Sequence, residues 1–156
     1  MKKYAIIIFV LAALVVGYFL VSPLFIEVKV EEAIEDIMSA TPGEEGVTEQ
    51  EIAEIAAGTF EGLGGHSAQG TAKLIRVADT YYVRFEDDFR VTNGPDLFVY
   101  FGKDGAYVAE ARLAALKGNM GSQNYEVPEG INSTDYNEVW VWCRAFSVPF
   151  GKAELK

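Results

Sequence analysis

One cysteine, one histidine and two nearby tryptophans are the residues of this 156-residue chain with the widest chemical reach. Cys143 closes the apolar run Val139-Trp140-Val141-Trp142-Cys143. Its thiolate could attack an electrophile or be oxidised to a sulfenate, but a lone cysteine has no internal disulfide partner. Side chains alternate along a strand, so Val139, Val141 and Cys143 share one face while Glu138, Trp140, Trp142 and Arg144 share the other. Each tryptophan can bury roughly 150 to 250 Å², and area alone turns Trp140 and Trp142 inward, leaving a reachable thiol. The opposite orientation buries Cys143 among valines, where a thiol is inert because its thiolate loses solvation. Free cysteines are more often buried than not, which favours the inert thiol by frequency. Sequence leaves both orientations open.

His66 is the only imidazole, and with Cys143 it makes two nitrogen or sulfur ligands where a structural zinc site normally needs four. No cofactor is expected. A haem or copper centre, left open, would have to use His66, against the commoner reading of a hydrogen-bonded structural histidine. Gly62-Leu63-Gly64-Gly65 lacks the Gly-Lys-Ser/Thr ending of a phosphate loop and reads as a turn. Ser67 or Ser147 with His66 and an aspartate makes a triad only on paper, since no nucleophile motif surrounds either serine. Glu86-Asp87-Asp88 lacks the spacing of a calcium loop and reads as a solvated turn or bulge. Asn93-Gly94-Pro95-Asp96 is a strong turn signal, with Asp96 able to bond back to the backbone. Asn132-Ser133-Thr134 matches a glycosylation acceptor.

These residues must be positioned by a chain of uneven character. Residues 4–26 carry no charged side chain and follow Lys2 and Lys3. At about 1.5 Å per residue such a stretch can cross a bilayer core of roughly 30 Å, and it is long for a signal-peptide core, with Val15 and Gly17 a poor cleavage site. A single-pass anchor is expected over 1–26. The two lysines place the N-terminus in the cytoplasm and the remainder in the periplasm or extracellular space. Residues 27–56 hold ten acids against Lys29, a net of −9, whereas 57–156 holds thirteen acids and ten bases, a net of −3. With no basic stripe, nucleic acid is not expected as a partner. The acidic segment reads as a solvated linker with short helices. One runs through Val30, Ala33, Ile34, Ile37 and Met38 until Thr41-Pro42-Gly43. A second follows the Thr48–Glu51 capping box through Ile52, Ala53, Ile55 and Ala56.

From residue 57 the pattern becomes short β-type runs separated by turns. Strands are expected at 71–77, 81–85, 89–92, 97–101, 124–127, 138–144 and 152–155, with a helical turn or irregular segment at 109–116. About 100 residues suffice for one all-β domain, an antiparallel β-sandwich or flattened barrel.

Taken together, Gly58-Thr59-Phe60, His66 with Gly70, Asn93-Gly94-Pro95-Asp96-Leu97-Phe98-Val99-Tyr100, Leu116-Lys117-Gly118-Asn119 with Gln123-Asn124-Tyr125, Trp142-Cys143 and Phe150-Gly151-Lys152-Ala153 resemble the DM-thirteen or electron-transfer DM domain over about 57–156. The resemblance implies a β-rich extracytoplasmic module, found in animals beside domains related to cytochrome b and in bacteria on small anchored or secreted proteins. It also implies a redox or electron-transfer role through the cysteine matching Cys143; Trp142, His66 and Asp96 are candidate supporting positions beside it.

Two functions are therefore expected to compete. In the first, an anchored redox module cycles Cys143 between thiol and sulfenate, or a mixed disulfide with a partner protein that brings the second thiol, while Trp142 limits solvent access. In the second, a non-catalytic surface module binds carbohydrate or protein through Tyr81, Tyr82, Trp140 and Trp142.

Overall fold

The computed structural model describes residues 2–21, 27–40 and 52–156. Its body is an all-β domain of ten strands: β1 (Ile52–Gly62), β2 (Ala68–Gln69), β3 (Thr71–Val77), β4 (Thr80–Phe85), β5 (Arg90–Val91), β6 (Leu97–Lys103), β7 (Ala106–Ala115), β8 (Gln123–Glu126), β9 (Glu138–Cys143) and β10 (Val148–Glu154). Eight of them form one antiparallel sheet in the order β7-β6-β9-β10-β1-β3-β4-β8, and β2 pairs with β5. The long β1 joins the two halves, pairing with β3 through Ile52 to Thr59 and with β10 through Phe60 to Gly62. The inner faces of both halves share one core, in which Phe60, Phe85 and Phe89 meet with centroids 4.5 to 5.0 Å apart. The expected strands follow from alternation. In β3, for example, Ala72 and Leu74 enter that core while Arg76 stays in solvent.

Three sequence expectations are corrected. Residues 106–115 form the full strand β7 rather than a helical turn at 109–116, because Ala111 and Leu113 alternate into the core beside exposed Arg112. Helix-favouring alanines yield there to cross-strand pairing with β6. Residues 52–56 likewise open β1, with Ile52 opposite Val77, instead of forming a second helix. Thr48, Glu51 and the Thr41-Pro42-Gly43 stop lie outside the described residues.

The acidic segment is the third. Residues 27–33 do not begin a helix but lie extended against the domain as a strap, with the Val30 and Glu32 amides donating to the Met120 and Ser122 carbonyls at 3.0 Å. Glu32 accepts two bonds from Lys117 Nζ, at 2.7 and 2.8 Å, and one from the Asn124 amide at 2.8 Å. Gly118 and Gly121 face the Val28 and Val30 carbonyls so closely that a Cβ on either would collide with them. Helix α2 (Ile34–Ala40) follows, opened by Asp36 accepting from the Ala33 amide. Its Ile37 is buried against Ile75, Val77 and Tyr82, which explains why the outer face of β3 is apolar.

Helix α1 (Lys2–Val21) follows the apolar run, and its described bulky side chains are exposed, Phe9 at 75%. Among the described residues no helix is long and apolar enough to cross a membrane, so the expected crossing over 4–26 is not shown. The helix ends two residues before Pro23, which lacks an N–H and disfavours helical geometry in the residue ahead of it. Residues 22–26 lie outside the described residues.

Candidate functional site

Strand β9 lies between β6 and β10, and its two faces meet different surroundings. In an antiparallel pair, residues directly opposite share a face. Cys143 sits opposite Leu97, Val141 opposite Val99 and Val139 opposite Phe101, so the parity of β6 turns these three side chains into the core. Cys143 is 0% exposed, as are Val139 and Val141. Of the two orientations left open, this is the one that buries the thiol among valines, and it overturns the one in which the tryptophans fill the core. The area argument fails because the outer face is itself covered: Trp140 is 6% exposed although it points away from the core.

The cover is aromatic. Trp142 lies opposite Phe98 and Trp140 opposite Tyr100. From β7, Tyr107 stacks on the half-buried Trp142 with centroids 4.0 Å apart and planes 24° from parallel. Tyr100 meets Tyr107 edge-on at 5.3 Å. Arg144 covers the Phe98 ring at 4.3 Å and Arg112 approaches it at 5.5 Å. Asp96 fixes Arg144 through bonds of 3.0 Å from Nε and 3.3 Å from Nη2, and this pairing holds the guanidinium in its charged form. Burial raises the Tyr100 phenol above its usual range, partly offset by the charges of Arg112 and Arg144.

At the other end of this face, the Trp140 indole Nε1–H donates to Glu138 Oε2 at 2.9 Å. Glu138 is 4% exposed and also accepts from the Gly105 amide at 3.2 Å and from Lys152 Nζ at 3.2 Å. That carboxylate favours the charged Lys152 and raises its pKa. The indole lies over Gly102, where any side chain would strike Nε1. Sequence reasoning passed over Glu138, Tyr100 and Tyr107 as partners. The parity of Glu138 with Trp140, two residues on, was the legible signal for the first; the tyrosines emerge only once strand register is known.

The remaining candidates lie elsewhere. His66 stacks on Phe150 at 3.6 Å and 9°, a packing role in the turn before β2. Asp96 and Trp142 are joined to the same face through Arg144 and Phe98, whereas Tyr82 is buried under α2 and Tyr81 is half-buried against the core. The proposed binding set Tyr81, Tyr82, Trp140 and Trp142 is therefore not one exposed patch. Asn93 to Asp96 and Leu116 to Asn119 line a cleft of ≈ 420 Å³. Its neighbouring polar groups serve the backbone: Gln123 bonds both the amide and the carbonyl of Gly118, and Tyr125 donates to Gln123 at 2.6 Å. Asp88 ties down Thr71, and Glu86 pairs with Lys73 and Arg84, so that acidic run is a turn with internal partners. Asn132 caps a short 3-10 turn, Ser133–Asp135. Among the described residues no group of three or more His, Cys, Asp or Glu could hold a metal ion.

The family model described as Electron transfer DM13 matches residues 59–155. No curated protein and no solved structure matches the chain.

Proposed function

This chain belongs to the electron transfer DM13 family, and we propose that it is a membrane-held redox module that exchanges single electrons with a partner protein through the outer face of β6, β7 and β9. The observation that carries this reading is the Tyr107–Trp142 stack, partly open to solvent on the strand whose other face encloses Cys143. Stacked phenol and indole rings are the side chains most readily oxidised by one electron apart from thiols, and an electron can reach them without atomic contact. Sulfenate or mixed-disulfide chemistry at Cys143 needs an oxygen or sulfur reagent in contact with the sulfur, so β9 would first have to part from its neighbours. The exposed apolar α1, behind Lys2 and Lys3, favours insertion in a bilayer with the N-terminus cytoplasmic and the β domain periplasmic or extracellular. Neither haem nor copper is required by this reading.

Voltammetry of the protein adsorbed on an electrode, together with thiol labelling across pH, tests the assignment. A reversible one-electron wave that disappears in the Tyr107→Phe/Trp142→Phe double variant, with Cys143 labelled only after unfolding, supports it. Rapid labelling of the native protein with an acid-shifted midpoint, and no such wave, returns the chemistry to a Cys143 thiolate. The second reading, a binding module, is favoured by one observation: Arg112 stands exposed beside Phe98 on the same face. It predicts carbohydrate or protein binding lost in Trp142→Ala, with no electrode response in the wild type.

A further inference from the structure

Resting on the electron-transfer reading, we infer that Trp140 and Glu138 form an internal proton-coupled redox site, in which the buried indole gives up an electron and passes its Nε1 proton to the Glu138 carboxylate. Oxidising an indole leaves a radical cation that is a far stronger acid than the parent ring. Its N–H proton needs an acceptor already in hydrogen-bond contact if the charge is not to remain buried. Glu138 Oε2 stands 2.9 Å from Nε1. Everything else bonded to Glu138 is a donor, namely the Gly105 amide and the Lys152 ammonium, so the carboxylate is present as an acceptor. Gly102 provides the space that lays the indole there, and the Lys152 ammonium lies 5.8 Å from the ring centroid.

The proton stays within the protein, and the electron goes to an external one-electron oxidant. One electron leaves the Trp140 ring for a one-electron metal oxidant docked at the outer face, and the Nε1–H bond breaks as an O–H bond forms on Glu138. The products are a neutral indolyl radical, a carboxylic acid and the reduced metal. Returning one electron drives the proton back to Nε1. Access to the buried ring runs through the face already described. Trp142 lies two residues along the strand, roughly 6.6 Å away by strand rise, and Tyr100 sits opposite Trp140 and 5.3 Å from Tyr107. The half-buried pair collects the charge, and the buried pair stores it where solvent cannot quench it.

Flash-generated tris(bipyridine)ruthenium(III), applied to the full chain, reads this directly by transient absorption, since neutral indolyl and indole radical-cation forms have different spectra. The wild type is expected to yield a neutral indolyl radical that outlives the Trp142/Tyr107 signal. Trp140→Phe should remove this long-lived species while leaving the surface radical. Glu138→Gln, which keeps the side chain's size, should slow formation of the neutral radical by roughly 100-fold, the low end of what a positioned proton acceptor contributes. A merely structural Glu138 would lower the melting temperature without altering the radical's protonation state. Identical spectra and lifetimes in wild type and Trp140→Phe overturn the site but leave the surface reading intact. Absence of any aromatic radical in the wild type overturns both.

Discussion

Replacing Cys143 by serine would place a hydroxyl among the buried apolar side chains of Leu97, Val99 and Val141. The expected cost is about 1 to 3 kcal/mol, read as a lower denaturation midpoint at unchanged slope. Tyr125 makes a second prediction. Its phenol is 2% exposed, and burial raises its pKa far above the ordinary value; the Lys117 amide lowers it in part, and the charge of Glu32 raises it further. Below about pH 10 both folded and unfolded chains hold this proton, so its contribution is complete. Above that pH the unfolded chain releases a proton that the folded one keeps, and stability falls as pH rises. Tyr125→Phe should flatten that alkaline loss in urea titrations, and an unchanged slope would show the phenol to be irrelevant. At this scale the chemistry of each side chain was legible but its surroundings were not. Cys143 was visible as the sole thiol, while its burial depended on Leu97, 46 residues earlier in the chain.

The strap over 27–33 shows the same limit for a whole element. Its acidic composition reads as a solvated spacer, yet two backbone amides and the Glu32 carboxylate bind it to residues 117–124. Gly121 adopts a φ of +85° under the Val30 carbonyl, a position closed to side chains for two independent reasons. Gly121→Ala should therefore destabilise the domain by more than about 1 kcal/mol and speed hydrogen exchange at the Val30 and Glu32 amides first. Uniform exchange across the domain would instead mean that the strap unfolds with the core. Strands β3, β4, β6 and β9 could be read from alternation because one face of each meets the core. β7 and the start of β1 could not, since alanine runs carry helical propensity that only pairing with β6 and β3 overrides.

For the molecule as a whole, the described bulky side chains of α1 are apolar and exposed while the domain carries its own core. A chain with residues 2–21 intact should float with lipid vesicles and resist carbonate extraction, whereas one lacking them should remain in solution with the same β-rich circular dichroism. Flotation of the shortened chain would place the lipid contact on the domain instead. The amino-acid order alone determined the all-β class, the apolar N-terminal helix, the acidic bias of 27–56 and the family of 59–155, because each depends on local periodicity, composition or motif order. Tertiary structure alone decided which face of β9 meets the core, that Trp140 donates to Glu138, and that Tyr107 stacks on Trp142. Those outcomes depend on strand register between distant segments, and shifting a pairing by one residue would turn every one of these side chains to the opposite face.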